Sequence, residues 1–166
     1  MLPRQAWAVG TPDLDAMIPL GDCTAITVHH SGFPEGFTSS AMADAAANLR
    51  AIMEFHTSAP PKGRGWADIG YHFAIDPAGR VWELRSVKFQ GAHVKNHNAG
   101  NLGVVCLGNF DLHPLPQEQF AALRKLVAMA GRRCGVLRIY GHRDLADNAT
   151  SCPGAYLWSQ LKSIKP

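Results

Sequence analysis

From Cys23 to His29 the chain reads CTAITVH, β-branched and apolar without clean alternation, which predicts a strand covered on both faces and ending at His29. SGFPEGF follows, and its glycines and proline make a loop. Thr38 or Ser39 then offers an N-cap for a helix to about His56, with Met42, Ala46, Leu49, Ile52, Met53 and Phe55 on its apolar face. Ala59 to Trp66, APPKGRGW, reads as a flexible basic connection. Tyr71–Ile75 and Arg80–Leu84 are short strands joined at Asp76-Pro77-Ala78-Gly79, a composition that favours a tight hairpin. Leu102–Leu107 is continuously apolar and therefore central in a sheet. Pro116 to about Cys134 is the clearest helix, with the proline in its first turn and Phe120, Leu123, Leu126, Val127 and Ala130 at helical spacing. Leu137–Tyr140 is a short strand, and Pro153–Leu161 a last helix with Trp158 and Leu161 facing inward.

Helices interleaved with buried strands imply an α/β fold: a single domain with a central mixed β-sheet flanked by helices, its carboxyl edge carrying the loops that matter. Residues 1–22, rich in Pro, Gly and Asp, predict an irregular arm that packs through Trp7 and Ile18 on the domain formed by residues 23–166. The chain has 166 residues, 46% of them hydrophobic, enough for one substantial core, and no repeat argues for more. A monomer is expected.

The formal charge is only +3, and the Lys and Arg residues are dispersed, which excludes a nucleic-acid reader but suits an anionic polymer. MLPRQAWAVGTPDL has no continuous apolar core of a signal peptide, and no segment is long enough to span a bilayer, so no membrane partner is expected and localisation stays open. Cys23, Cys106, Cys134 and Cys152 lack the close spacing of a disulfide framework. A chain this long needs no staple; Cys106 and Cys134 read as small buried hydrophobes, a Cys23–Cys134 disulfide being the alternative.

The candidate chemistry lies between Gly141 and Gly154, GHRDLADNATSCPG. An imidazole, His142, follows an apolar strand, and a thiol, Cys152, closes the loop, so both side chains can reach one ion. The best source of a third donor is the pair His29-His30. Three protein ligands leave an open position, the arrangement of a catalytic zinc, which activates water and polarises a carbonyl.

Taken together, ITVHHS, DIGYHFAID, GAHV with NHNAGNLGVVCLGNF, and GHRD with ATSCPG occur in an order that resembles the zinc-dependent N-acetylmuramoyl-L-alanine amidases of the phage-lysozyme and peptidoglycan-recognition-protein type. The resemblance extends from about Ala25 to Leu161, and Arg4-Gln5-Ala6-Trp7 is similar to the Arg-x-x-Trp opening of the recognition proteins. It implies that His29, His142 and Cys152 bind Zn2+. Strand alternation agrees in allowing only one of His29 and His30 to reach the ion, leaving His30 a supporting or surface role. It further implies that Tyr71, in GYHF, orients the nucleophile or stabilises the intermediate. Thr150 occupies the remaining catalytic position, where phage-lysozyme-type members carry lysine; a hydroxyl can donate a hydrogen bond there but brings no positive charge.

The resemblance also places His93 in the substrate groove. Asn98 and Asn101 share its loop, and each asparagine is as readily explained by hydrogen bonds that hold the loop. Trp66 and Arg64 precede the tyrosine motif and are candidates to line the groove, although Arg64 reads better as a surface residue. Arg143 and Asp144 suggest an ion pair or a carboxylate that orients an imidazole. The implied activity is cleavage of the amide between N-acetylmuramic acid and L-alanine, with peptidoglycan or a muropeptide as partner. The alternative is a non-catalytic peptidoglycan-binding recognition module, and the presence of Cys152 and Tyr71 favours the enzyme.

Overall fold

Hydrogen bonding between distant strands settles the architecture of the computed structural model, which describes residues 1–135 and 137–165. Strands β1 (Ala25–His30), β2 (Phe73–Ile75), β3 (Val81–Glu83), β4 (Asn101–Cys106) and β5 (Arg138–Gly141) form one mixed sheet. Their order is β3-β2-β4-β1-β5, with β4 at the centre as its apolar run implies. Every neighbouring pair is parallel except the β2–β3 hairpin. Asp76 explains that hairpin: its buried carboxylate accepts from the amides of Ala78 and Arg80, from Arg80 Nε and from the Trp82 indole.

Alternation along the strands sorts side chains into two cores. Ile26 and Val28 of β1 with Leu102, Val104 and Cys106 of β4 face helices α2 (Gln117–Cys134) and α3 (Ala155–Leu161). Ala74, Trp82 and Val105 face α1 (Met42–Thr57), packing on Ala45, Leu49 and Ile52. The α/β expectation therefore holds. Among the described residues no helix is long and apolar enough to cross a membrane, and all four cysteines are free thiols.

Element ends differ from the sequence reading where hydrogen bonds outweigh pattern. Helix α1 begins at Met42 with Ala41 as N-cap. Ser39 still serves the start of the helix, accepting from the Ala41 amide and donating to Asp44. Met42 and Phe55 are 53% and 48% exposed, so they lie off the apolar face that was expected to hold them. Pro116 is the N-cap of α2 and lies just outside it, as its extended backbone requires. Trp158 is only half-buried: its indole donates to Asp144, and the cations of Arg143 and Lys162 sit over its ring.

In the arm, Trp7 is 2% exposed and donates its indole hydrogen to the Glu83 carbonyl, whereas Ile18 is 62% exposed. Residues 18–20 run antiparallel to 88–90 through backbone bonds, and Met17 and Leu20, on either side of the exposed Ile18-Pro19 pair, are the side chains that turn inward. Leu2 adds to the outer edge of β3 through backbone bonds to Val81 and Glu83, covering an otherwise open sheet edge. The connection 59–66 is ordered, contrary to expectation: the amides of Arg64, Gly65 and Trp66 donate to the carbonyls of Phe55, Ser58 and His56. That wrapping fixes Trp66 beside the end of α1.

His72 is fully buried between β2 and β4; its Nδ1 accepts the Gly103 amide and its Nε2 faces the Phe89 carbonyl. Burial pushes its pKa down from 6.5 to about 4. Between pH 6.5 and 4 the unfolded chain therefore binds more protons at this imidazole than the folded one, and stability falls as pH is lowered. Urea-unfolding midpoints are expected to drop across this window by an amount equivalent to about 1 kcal/mol per pH unit from this group. His72→Asn, which retains an acceptor but cannot be protonated there, should show a shallower decline.

Candidate functional site

The three parallel strand pairs end on the same side of the sheet, and the donors gather at that edge. His29 stands on β1 on the face toward α1, His142 opens the turn that follows β5, and Cys152 comes from the loop before α3. Their ligand atoms all lie within 4.8 Å of one another. His29 Nδ1 is 3.7 Å from the Cys152 sulfur, and the His29 and His142 ring centroids are 4.6 Å apart. His30 points to the other face, where its Nδ1 accepts the Phe110 amide.

The loop is tied to its own strand end. Asp144 accepts from the Gly141 amide and from the Trp158 indole, the Arg143 amide donates to the Cys152 carbonyl at 2.9 Å, and the Arg143 side chain bonds the Ser151 carbonyl. Arg143 and Asp144 thus build the loop; neither orients an imidazole. Thr150 accepts the Cys152 amide through its hydroxyl oxygen at 3.2 Å.

Burial makes this a neutral donor set. It lowers the pKa of His29 and of His142 below the usual imidazole value, and the neighbouring imidazoles lower His29 further. It raises the Cys152 thiol from 9.0 to about 12, with the nearby Arg143 guanidinium and a hydrogen bond at His30 opposing the rise. A cation at the three donors would reverse that cost by stabilising the thiolate.

A groove of about 430 Å³ opens beside the cluster, its lining including Tyr71, His93 and His142 together with Phe33, Phe55, Arg64 and Trp66. The Tyr71 ring lies 5.0 Å from His29, and burial raises its phenol pKa, with the Cys152 charge adding to the effect, so it stays protonated. Arg64 places its guanidinium over the Phe55 ring at 5.3 Å. His93 is 9% exposed, with one ring nitrogen facing His29 and the other the Asn101 carbonyl. Asn98 does not line this groove; its side-chain oxygen accepts the amides of His93 and Val94, both at 3.0 Å.

His56 is a groove residue that the pattern reading passed over. Its Nδ1 accepts the Gly70 amide, its ring lies 4.7 Å from Trp66 and 5.6 Å from Tyr71, and burial lowers its pKa to about 4. Its spacing from Leu49 and Ile52 on α1 was the available signal.

A family model described as N-acetylmuramoyl-L-alanine amidase matches residues 19–155. Peptidoglycan-recognition protein SC2 of Drosophila simulans is 32% identical over 139 residues, which cover 82% of this chain and 71% of that protein. An N-acetylmuramoyl-L-alanine amidase of Sus scrofa is 31% identical over 97% of this chain, which spans only 26% of that protein's length. Among solved structures, a tyrosine-to-phenylalanine variant of Drosophila PGRP-LB in complex with tracheal cytotoxin superposes with a TM-score of 0.82 at 26% identity, covering 98% of this chain and 92% of that one. A family match that runs from the arm through all three donors to the first residue of α3 places this chain in the N-acetylmuramoyl-L-alanine amidase family, of the peptidoglycan-recognition-protein type.

Proposed function

We propose that this chain is a zinc-dependent amidase that cleaves the amide between N-acetylmuramic acid and L-alanine in peptidoglycan or muropeptides. The observation that carries the reading is the convergence of His29, His142 and Cys152 beside the groove that His142 helps to line. Two imidazoles and a thiolate form a donor set well suited to zinc. Tetrahedral zinc with ordinary bond lengths to nitrogen and sulfur separates those ligand atoms by about 3.6 Å, close to the 3.7 Å between His29 Nδ1 and the Cys152 sulfur. A four-ligand structural site finds no support: both Asp144 carboxylate oxygens are taken by Gly141 and Trp158, and His30 lies on the opposite face.

When bound, zinc supplies Lewis acidity toward a carbonyl and toward water. The chain's own residues do the rest. His29, His142 and Cys152 hold the ion, and the thiolate reduces its net charge. Tyr71, kept protonated by burial, donates a hydrogen bond to the oxygen that gains charge as the amide carbon becomes tetrahedral. Thr150 uses its oxygen as an acceptor toward the Cys152 amide, which leaves its O–H to donate toward the same developing charge. Phe33, Phe55 and Trp66 offer apolar walls to the peptide, and Arg64 a partner for a peptide carboxylate. A relative's capture of tracheal cytotoxin supports a peptidoglycan fragment as the occupant. A recognition module without catalysis would use the same groove, but nothing in binding alone calls for a thiol among the donors.

Metal analysis should find one zinc per chain, and Cys152→Ala should lose most of it; an undiminished zinc content would remove Cys152 from the ligand set. Tyr71→Phe is expected to retain zinc and to lose roughly 100-fold in turnover, so full activity in that variant would remove Tyr71 from the chemistry. Incubation with muropeptides, followed by mass spectrometry, should release peptides that begin with L-alanine. Cleavage between sugars or within the peptide would overturn the bond assignment, and intact muropeptide beside zinc-loaded protein would favour the recognition module.

A further inference from the structure

Both ring nitrogens of His93 are engaged within the protein. Nε2 lies 3.2 Å from the Asn101 carbonyl oxygen and Nδ1 lies 3.1 Å from Nε2 of His29. A carbonyl oxygen only accepts, so Nε2 of His93 carries a proton. A neutral imidazole with its proton on Nε2 presents the lone pair of Nδ1, so Nδ1 of His93 is the acceptor toward His29 Nε2. The hydrogen between the two rings therefore belongs to His29 Nε2. That leaves His29 Nδ1 with its lone pair free, and Nδ1 is the atom that faces the Cys152 sulfur.

The geometry points to His93 as the positioning residue that fixes the metal-binding tautomer and ring orientation of His29, an inference that rests on the zinc reading proposed above. Outer nitrogens of metal-binding imidazoles commonly donate to a carboxylate, a carbonyl or water. Here a second imidazole stands between His29 and a backbone carbonyl at the start of β4.

The relay is anchored at both ends. Asn101 is held by hydrogen bonds from its amide nitrogen to Thr27 Oγ1 at 2.9 Å and to the His97 carbonyl at 2.7 Å. The backbone at His93 is held by Asn98. The ring itself fills a slot that exists because two neighbours lack side chains: a Cβ on Gly91 would come within 2.4 Å of its Cδ2, and one on Gly103 within 2.5 Å. A mere surface histidine would need no such clearance. In this account the groove-facing edge of His93 contributes shape, while its nitrogens serve His29.

The test uses the full chain, zinc-loaded and labelled with nitrogen-15 in histidine. Long-range proton–nitrogen correlation spectra should show His93 and His29 both protonated at Nε2, with the His29 proton protected from exchange. Competition with a chromophoric chelator should show zinc affinity falling roughly 10- to 100-fold in His93→Phe. His93→Asn, whose Oδ1 stands near the place of Nδ1, should recover part of the loss. Gly103→Ala, which displaces the ring without altering any donor, should also weaken zinc binding.

A His93 ring protonated at Nδ1 in the parent protein would overturn the proposal whatever the variants do, as would His93→Phe binding zinc as tightly as the parent. A parent that takes up no zinc is a separate outcome: it overturns the metal reading itself, and this inference with it.

Discussion

The site depends on the two-residue period of β1. Thr27 and His29 face α1 and the groove, while Ile26, Val28 and His30 face the other way, so only one of the adjacent imidazoles can meet His142 and Cys152. The register with the central strand locks this choice, because Val28 lies opposite Val104 and His29 opposite Val105. A slip of one residue would send His29 into the apolar core beneath α2 and expose the fully buried Val28 to the groove. The hydrophobic cores therefore select the donor as well as stabilising the fold.

From that constraint the rest follows outward. Because β1, β4 and β5 run parallel, His29 and the turn after β5 reach the same edge, and the loop needs only to return Cys152 to it. Asp144 and Arg143 secure that return. Burial at that edge favours neutral imidazoles and a protonated thiol. A neutral cluster of two imidazoles and a thiol beside an aromatic groove suits the proposed binding of a metal and then of an amide. The order of the outer elements serves the same end: the arm covers the β3 edge, and the wrapped 59–66 segment sets Trp66 against His56.

Apolar runs and helix-spaced residues were enough to read the strands, the helices and the centrality of β4, because burial on two faces leaves a direct mark on composition. The loop from His142 to Cys152 was legible for a similar reason, since thiol and imidazole are rare and their placement after a strand is informative. What pattern could not convey was pairing between distant polar atoms. Gln119 is fully buried on α2 because its amide donates to the carbonyls of Ile75 and Leu107, a role no periodicity encodes. Ile18 is exposed on a stretch of the arm held to 88–90 by backbone bonds, and Met42 because α1 starts later than Ser39 suggested. The destination of the Asn98 oxygen likewise depended on bonds that only the folded loop reveals.

The central claim is that β1 and the loop before α3 deliver two imidazoles and one thiolate to a single ion. X-ray absorption at the zinc edge of the purified, zinc-loaded protein tests it most directly. The expected spectrum contains one sulfur at about 2.3 Å, with imidazole nitrogens at about 2.0–2.1 Å and one further light atom. A first shell without sulfur, or with four protein nitrogens, would contradict the account.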